Sequence, residues 1–278
     1  MVFTIDDPGD PRVAEYRDIP DPELLRAHGV FVAEGRQVVR HLLASARFST
    51  RSVLVSPAAL EGLRDLLDAE GPLTVFVMPA ERLAALVGFN VHRGCLAIGE
   101  RRPTMAVESW WQQAADSRLV VAAERLGNAD NVGALFRNAL AFGSGGLLLS
   151  PGCCDPLYRK SIRVSMGAAL RLPYAVDGQW PGSLRTLREA GVRVLALTPT
   201  RPAIDLDEAL SAIPPDTTVA LLLGHEGDGL SDEAMAAADA RVRIVLSPEV
   251  DSLNVATAAG IALHACRRRL GWPSGEAP

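Results

Sequence analysis

Short apolar runs alternate along this chain with segments whose apolar residues recur at helical spacing. Val30 to Ala33, Ser52 to Ser56, Thr74 to Val77 and Leu96 to Gly99 read as strands. Helices are predicted between them, at 35–44, at 57–68 with Pro57 at a favoured opening position, and at 79–86. The alternation restarts with strands at Leu119 to Ala123, Gly146 to Leu149, Val192 to Leu197, Val219 to Leu223 and Val242 to Leu246. Helices at 131–141, 156–168, 182–190, 231–237 and 254–268 separate these runs. Strands alternating with helices predict an α/β fold, and continuously apolar strands predict a mostly parallel sheet buried on both faces.

The segment from Glu100 to Ser117 breaks the rhythm with Arg101-Arg102-Pro103 and then Trp110-Trp111-Gln112-Gln113. This places a boundary there. We expect a smaller α/β module over 1–103, a linker or connecting helix over 104–117, and a larger domain over 118–278 with a frayed tail from Trp272 to Pro278.

Composition narrows the class. The 278 residues are 48% hydrophobic and 22% charged, ordinary for a globular protein. No apolar run is long enough to span a bilayer, and the acidic start, Met1 to Asp10, lacks the features of a signal peptide. A cytoplasmic location is expected, with no membrane partner. Cys95, Cys153, Cys154 and Cys266 show no C-x-x-C spacing, so neither a disulfide framework nor a metal site is expected. A net charge of −5 excludes a bulk polyanion binder but leaves room for a local basic patch. Lys160 is the only lysine, so basic surfaces must be built from arginine forks, which grip phosphate bidentately.

Three segments carry candidate chemistry. Gly224-His225-Glu226-Gly227-Asp228-Gly229-Leu230 follows an apolar strand, where open α/β sheets place ligands. A plain glycine-rich turn reads equally well, and the spacing is not that of a dinucleotide fingerprint. Ser252-Leu253-Asn254-Val255 opens a helix containing Ala256, Ala258, Ala259, Gly260 and Ala262. Helix capping alone accounts for Ser252 and Asn254, while the small residues permit close packing against a partner. Asn128-Ala129-Asp130-Asn131-Val132-Gly133 precedes Arg137 and Asn138, with Asn131 expected to cap its helix. Val132, Leu135, Phe136, Ala139 and Leu140 form the apolar stripe there, and Arg137 lies off it, either solvated or functional.

Together, these segments closely resemble the SpoU/TrmH family of RNA ribose methyltransferases in the SPOUT superfamily. Asn131, Gly133 and Arg137 match the family's first motif, and Gly224, Glu226, Gly227 and Gly229 its Gly-x-Glu-Gly-x-Gly loop. Ile244 and Ser252 to Val255 match its third, and Ser150-Pro151-Gly152 through Lys160, Arg163, Ser165, Met166 and Gly167 resemble the region between motifs. The resemblance covers about 118–270 in order and spacing. Residues 1–103 are less sharply similar to the family's N-terminal module, through Phe31-Val32-Ala33-Glu34-Gly35 and Gly88 to Gly94. Departures are Asn128-Ala129 for the usual Asp-Pro, Val245 for proline, Ala256 for serine and His225 for a small or amide residue.

The resemblance implies methyl transfer from S-adenosylmethionine to a ribose 2′-hydroxyl of RNA, within a deep trefoil knot. It implies that Gly224, Ile244, Leu246 and Leu253 hold the cofactor, and that Asn131, Arg137, Glu226, Ser252 and Asn254 are catalytic. Arginine resists deprotonation, so Arg137 is expected to fix a phosphate and polarise the hydroxyl rather than act as base. The N-terminal module, of ribosomal-protein-like α/β fold, is implied to bind RNA, with Arg36, Arg40, Arg93, Arg101 and Arg102 as phosphate ligands. A homodimer is implied as well. Such a module favours large-subunit rRNA as substrate. The alternatives are the same chemistry on tRNA, or a non-catalytic rRNA-binding assembly factor. A nucleotide-cofactor enzyme is set aside, because the chain lacks a Walker lysine and an early Gly-x-Gly-x-x-Gly.

Overall fold

Apolar strands followed by amphipathic helices build two sheets in the computed structural model, which describes residues 1–17, 19, 22–69, 73–214 and 216–272. The expected frayed tail lies outside the described residues except for Trp272. The chain divides into two compact units, one of residues 1–103 with 156–171, the other of 104–155 with 172–278.

The first unit holds strands β1 (Val2–Thr4), β2 (Val30–Glu34), β3 (Thr50–Val55), β4 (Thr74–Val77) and β5 (Cys95–Glu100), in the order β1-β4-β3-β5-β2. β1, β4 and β3 run parallel, whereas β5 pairs antiparallel with both β3 and β2. β1 spans only three residues, too short to register as a strand in the sequence. Its core gathers Ile5, Val13, Tyr16, Val32, Leu54, Phe76 and Leu96. The segment 156–171 belongs to this unit through a shorter helix than expected, Arg159–Val164. Arg159 Nη1 donates to Glu34 Oε2 at 2.5 Å, and its guanidinium lies 4.0 Å from the Phe89 ring centre. The Glu34 carboxylate is almost fully buried, so this arginine supplies the counter-charge that burial demands.

The second unit holds β6 (Leu119–Ala123), β7 (Leu147–Leu149), β8 (Tyr174–Val176), β9 (Arg193–Leu197), β10 (Ile204–Asp205), β11 (Val219–Leu223) and β12 (Ala240–Arg243). All seven are parallel, in the order β10-β12-β9-β11-β6-β7-β8. The later strands β11 and β12 thus insert between earlier ones. Every residue of β6, β7 and β11 is buried, as continuously apolar runs require.

Within residues 104–117, expected as a linker or connecting helix, Val107–Ala114 is a helix whose Trp110 is fully buried in this unit's core. Trp110 packs so closely that a Cβ on Gly146 would meet its Nε1 at 2.6 Å and Pro173 O at 2.5 Å. The last strand ends at Arg243 rather than Leu246, which leaves Ile244 and Leu246 in the following loop.

Candidate active site

The helix Ala129–Ala141 starts from Asn128, whose side chain accepts from Asp130 N at 2.8 Å. Asn128, not Asn131, is therefore the cap. Asn131 sits inside the first turn, 7% exposed, and accepts from Asn254 Nδ2 at 3.0 Å. Asn254 in turn caps the helix Val255–Leu270, its Oδ1 accepting from Ala256 N and Thr257 N. Seven residues on from Asn131, about two full turns, Asn138 shares its face and donates Nδ2 to Ala256 O at 2.7 Å. Gly260 lies against Asn138, where a Cβ would meet Nδ2 at 3.3 Å. Two side-chain amides thus zip these helices together.

The glycine loop closes on itself. His225 N donates to Gly229 O and Gly229 N to His225 O, while His225 Nδ1 accepts from Gly227 N at 3.0 Å and Asp228 N at 3.2 Å. An amide oxygen at this position would serve the same backbone donors, which explains how a histidine substitutes for the usual residue. A Cβ on Gly224 would fall 2.5 Å from Leu230 N, so the two ends of the loop approach as only glycine allows.

Glu124, one residue past β6, secures that loop and was not anticipated from the sequence. Its backbone N donates to Leu223 O just before the loop. Its carboxylate accepts from Ser231 N and Ser231 Oγ just after it, each at 2.7 Å, and from Trp180 Nε1 at 2.8 Å. At 3% exposure this buried charge is fully hydrogen-bonded. The available signal was a lone acidic residue at the carboxyl end of a buried strand, where α/β sheets carry function.

These loops enclose a cavity of about 500 Å³ at the carboxyl ends of β9, β11 and β12. Gly224, Glu226, Ile244, Leu246, Ser252, Leu253 and Asn254 all line it, together with Leu197 to Pro199, which the sequence did not single out. Asn131 joins through its bond to Asn254. Arg137 is not in the lining. It lies six residues beyond Asn131, about one and two-thirds turns along and so on a different face, and is exposed. Among the described residues Arg137, Glu226 and Ser252 make no hydrogen bond or ion pair, so their polar groups are free to meet a ligand.

The five arginines expected to bind RNA lie in the first unit and are not equivalent. Arg40 holds Asp65 bidentately, at 3.0 and 2.8 Å, and Arg101 Nε donates to Val30 O. Arg36 is half-buried against Gly62, with Nε lacking a partner. Arg93 and Arg102 are exposed, Arg93 in a left-handed conformation at φ 58°. Among the described residues no group of three His, Cys, Asp or Glu side chains is placed to hold a metal, and no helix is long and apolar enough to cross a membrane.

The family described as SpoU rRNA Methylase matches residues 118–264. The chain is 40% identical over 262 residues to a Mycobacterium tuberculosis protein named as an uncharacterized tRNA/rRNA methyltransferase, covering 93% of this chain and 89% of that one. A Burkholderia protein named 23S rRNA (guanosine-2'-O-)-methyltransferase RlmB is 31% identical over 206 residues, 73% of this chain and 81% of its own. Among solved structures, an AdoMet-bound rRNA methyltransferase from Sinorhizobium meliloti is similar at a TM-score of 0.80 and 26% identity, over 97% of this chain and 98% of that one.

Proposed function

This chain belongs to the SpoU rRNA methylase family, and on that premise we propose that it methylates a ribose 2′-hydroxyl of large-subunit rRNA, with S-adenosylmethionine as donor. One observation carries the reading. The glycine loop, the loop after β12 and the Ser252–Asn254 turn converge on one cavity, and Asn254 ties that cavity to the helix bearing Arg137. The names of the Burkholderia and Sinorhizobium relatives support the acceptor and the donor respectively.

The cavity fits such a donor on its own terms. A volume of about 500 Å³ lies within the range of small-molecule sites. Apolar Leu223, Ile244, Leu246 and Leu253 suit an adenine ring, and the loop backbone suits the polar ends of the donor. When bound, S-adenosylmethionine supplies a methyl group on a sulfonium, an electrophile that needs no further activation. The chain's own residues must then align the ribose and dispose of its proton. In this reading Arg137 grips the phosphate next to the acceptor and polarises the 2′-hydroxyl, because a guanidinium holds its proton too tightly to serve as base. Asn131, Glu226, Ser252 and Asn254 orient Arg137 and the ribose.

The finer architecture follows from the same reading. The insertion of β11 and β12 between earlier strands, with the chain continuing into Val255–Leu270, is consistent with a trefoil knot. The exposed Ile261 on that small-residue helix supports packing against a second copy. The first unit would then serve as the RNA-binding module, with Arg36 and Arg93 among its phosphate ligands.

The test is methyl incorporation from labelled S-adenosylmethionine into unmodified large-subunit rRNA and into tRNA. Transfer to a ribose 2′-oxygen of rRNA is expected. Transfer to tRNA alone would keep the chemistry and overturn the substrate. Cofactor binding and RNA binding without any transfer would favour a non-catalytic assembly factor.

A further inference from the structure

A second groove, of about 520 Å³, opens at the β10 edge of the seven-stranded sheet, lined by Arg201, Arg241 and Arg243 with Pro202, Ala203 and Ile204. Arg241 and Arg243 flank fully buried Val242 on β12, so strand alternation turns both to the face opposite that core residue. Their stems stand about 6.6 Å apart along the strand, the scale of one step between successive RNA phosphates. Among the described residues the side chains of Arg201 and Arg241 make no hydrogen bond or ion pair, and that of Arg243 only donates Nε to Ala203 O at 3.2 Å.

Among the described residues no carboxylate forms an ion pair with this cluster. Asp205, which stands opposite Arg243 in the sheet register, caps the helix Leu206–Ser211 by accepting from Asp207 N and Glu208 N. Asp239, just before β12, is taken by Arg188, Arg193 and Val194 N. Three like charges therefore share one groove in a chain whose net charge is −5. Clustered like charges of this kind favour an incoming anion, whose binding relieves their mutual repulsion.

The groove adjoins the cofactor cavity through the chain itself. Pro199 lines that cavity two residues before Arg201, and Ile244 lines it one residue after Arg243. We propose that this groove is a second RNA-docking site, in which Arg201, Arg241 and Arg243 bind successive backbone phosphates of the strand that carries the acceptor ribose. The proposal rests on the RNA methyltransferase reading above. It assigns the methyltransferase domain its own grip on the substrate, separate from any made by the first unit. Guanidinium forks bind phosphate without reading sequence, so the groove positions the strand and leaves base choice to other contacts.

The decisive variant is Arg201→Ala/Arg241→Ala, because both side chains are exposed and unpaired and their loss leaves the fold intact. A thermal melt checks that directly, and Arg201→Lys/Arg241→Lys keeps the charge without the fork. Binding and methylation of unmodified large-subunit rRNA are measured across a salt series, alongside S-adenosylmethionine affinity. We expect the alanine pair to raise the KM for RNA by roughly tenfold at low salt, and to flatten the salt dependence of binding by about one unit per arginine. Its kcat at saturating RNA and its cofactor affinity should match the unaltered protein, and the lysine pair should keep the salt slope. An unchanged RNA KM and salt slope in the alanine pair overturns the groove while leaving the family reading intact. A change in oligomeric mass by light scattering without a change in salt slope overturns it in favour of a second copy of this chain. If the unaltered protein binds no RNA, the groove falls together with the reading it rests on.

Discussion

Asn254 Nδ2 donates to Asn131 Oδ1 at 3.0 Å, joining residues 123 positions apart, while the same side chain's Oδ1 caps its own helix. One amide thereby fixes the start of Val255–Leu270 and orients the helix that carries Arg137. Replacing Asn254 with serine keeps an oxygen for the cap and removes the donor. The buried Asn131 Oδ1 then lacks a partner, at a cost of about 1–3 kcal/mol. Asn254→Ala also loses the cap, a further ~1 kcal/mol. Urea unfolding of both single alanine variants and the Asn131→Ala/Asn254→Ala double should give a coupling energy of about 1 kcal/mol. A coupling near zero would show that the contact does not link the helices.

Glu124 acts on the glycine loop from both sides. Glu124→Gln keeps the shape but turns an NH₂ toward donors, either Ser231 N or Ser231 Oγ and Trp180 Nε1. The buried mismatch should cost about 2–4 kcal/mol and lower the melting temperature accordingly. Because Ser231 closes the loop that lines the cavity proposed for S-adenosylmethionine, affinity for that donor should fall as well. Calorimetric titration of folded Glu124→Gln at low temperature separates that effect from lost stability. Unchanged affinity would confine Glu124 to a purely structural role.

Trp110 tests how firmly the helix Val107–Ala114 is packed. In a linker its truncation would be nearly silent. As a fully buried core residue it should cost about 3–5 kcal/mol on Trp110→Ala. Its Nε1 is buried without a partner, so Trp110→Phe removes an orphaned donor and should cost distinctly less than alanine. Thermal unfolding of both variants gives the order. Equal losses would mean that the indole nitrogen carries no penalty.

The contrast between Trp110 and β11 shows what periodicity reveals. Val219–Leu223 is apolar at every position and appears at the predicted bounds, because burial on both faces leaves no room for polar residues. Val107–Ala114 buries only Trp110 and Ala114 among polar neighbours, a stripe too narrow to separate from a solvated connector. The overshoot of the last strand to Leu246 has a similar origin. Ile244 and Leu246 are apolar because they line a cavity, and a sequence does not distinguish that from strand burial. The cavity's motif residues were legible since their spacing resembles a family's. Glu124, Asn138 and the acceptor role of His225 were not, because each depends on partners that only the fold brings near.

His41 makes the first unit sensitive to acid. Burial, then the charges of Arg171 and Arg40, hold its imidazole below the ordinary value of 6.5. The folded state thus resists a proton that the unfolded chain accepts. Stability from this residue is present above about pH 6.5 and falls as the pH drops below it. His41→Gln should flatten the decline in stability below that pH, measured by urea unfolding at a series of pH values. Parallel slopes for both proteins would assign the acid sensitivity elsewhere.

Under the proposed function, Arg137 offers a way to separate catalysis from folding. It is exposed, and among the described residues its side chain has no hydrogen bond or ion pair, so Arg137→Ala should leave folding stability within about 0.5 kcal/mol of the unaltered protein's. S-adenosylmethionine affinity should also hold, because Arg137 is not in the cavity lining. Methyl transfer should fall by about a hundredfold or more if Arg137 both grips phosphate and polarises the acceptor hydroxyl. Arg137→Lys sharpens the result. A lysine keeps the charge but not the planar fork, so bidentate phosphate binding predicts a raised KM for RNA and a kcat far below that of the unaltered enzyme. A lysine ammonium also gives up its proton far more readily than a guanidinium, so rising pH supplies free base at this position only in the lysine variant. Activity of Arg137→Lys that recovers steeply with rising pH would therefore point to proton abstraction at this position. A flat, low profile would support positioning and polarisation, leaving the proton to solvent or to a neighbour.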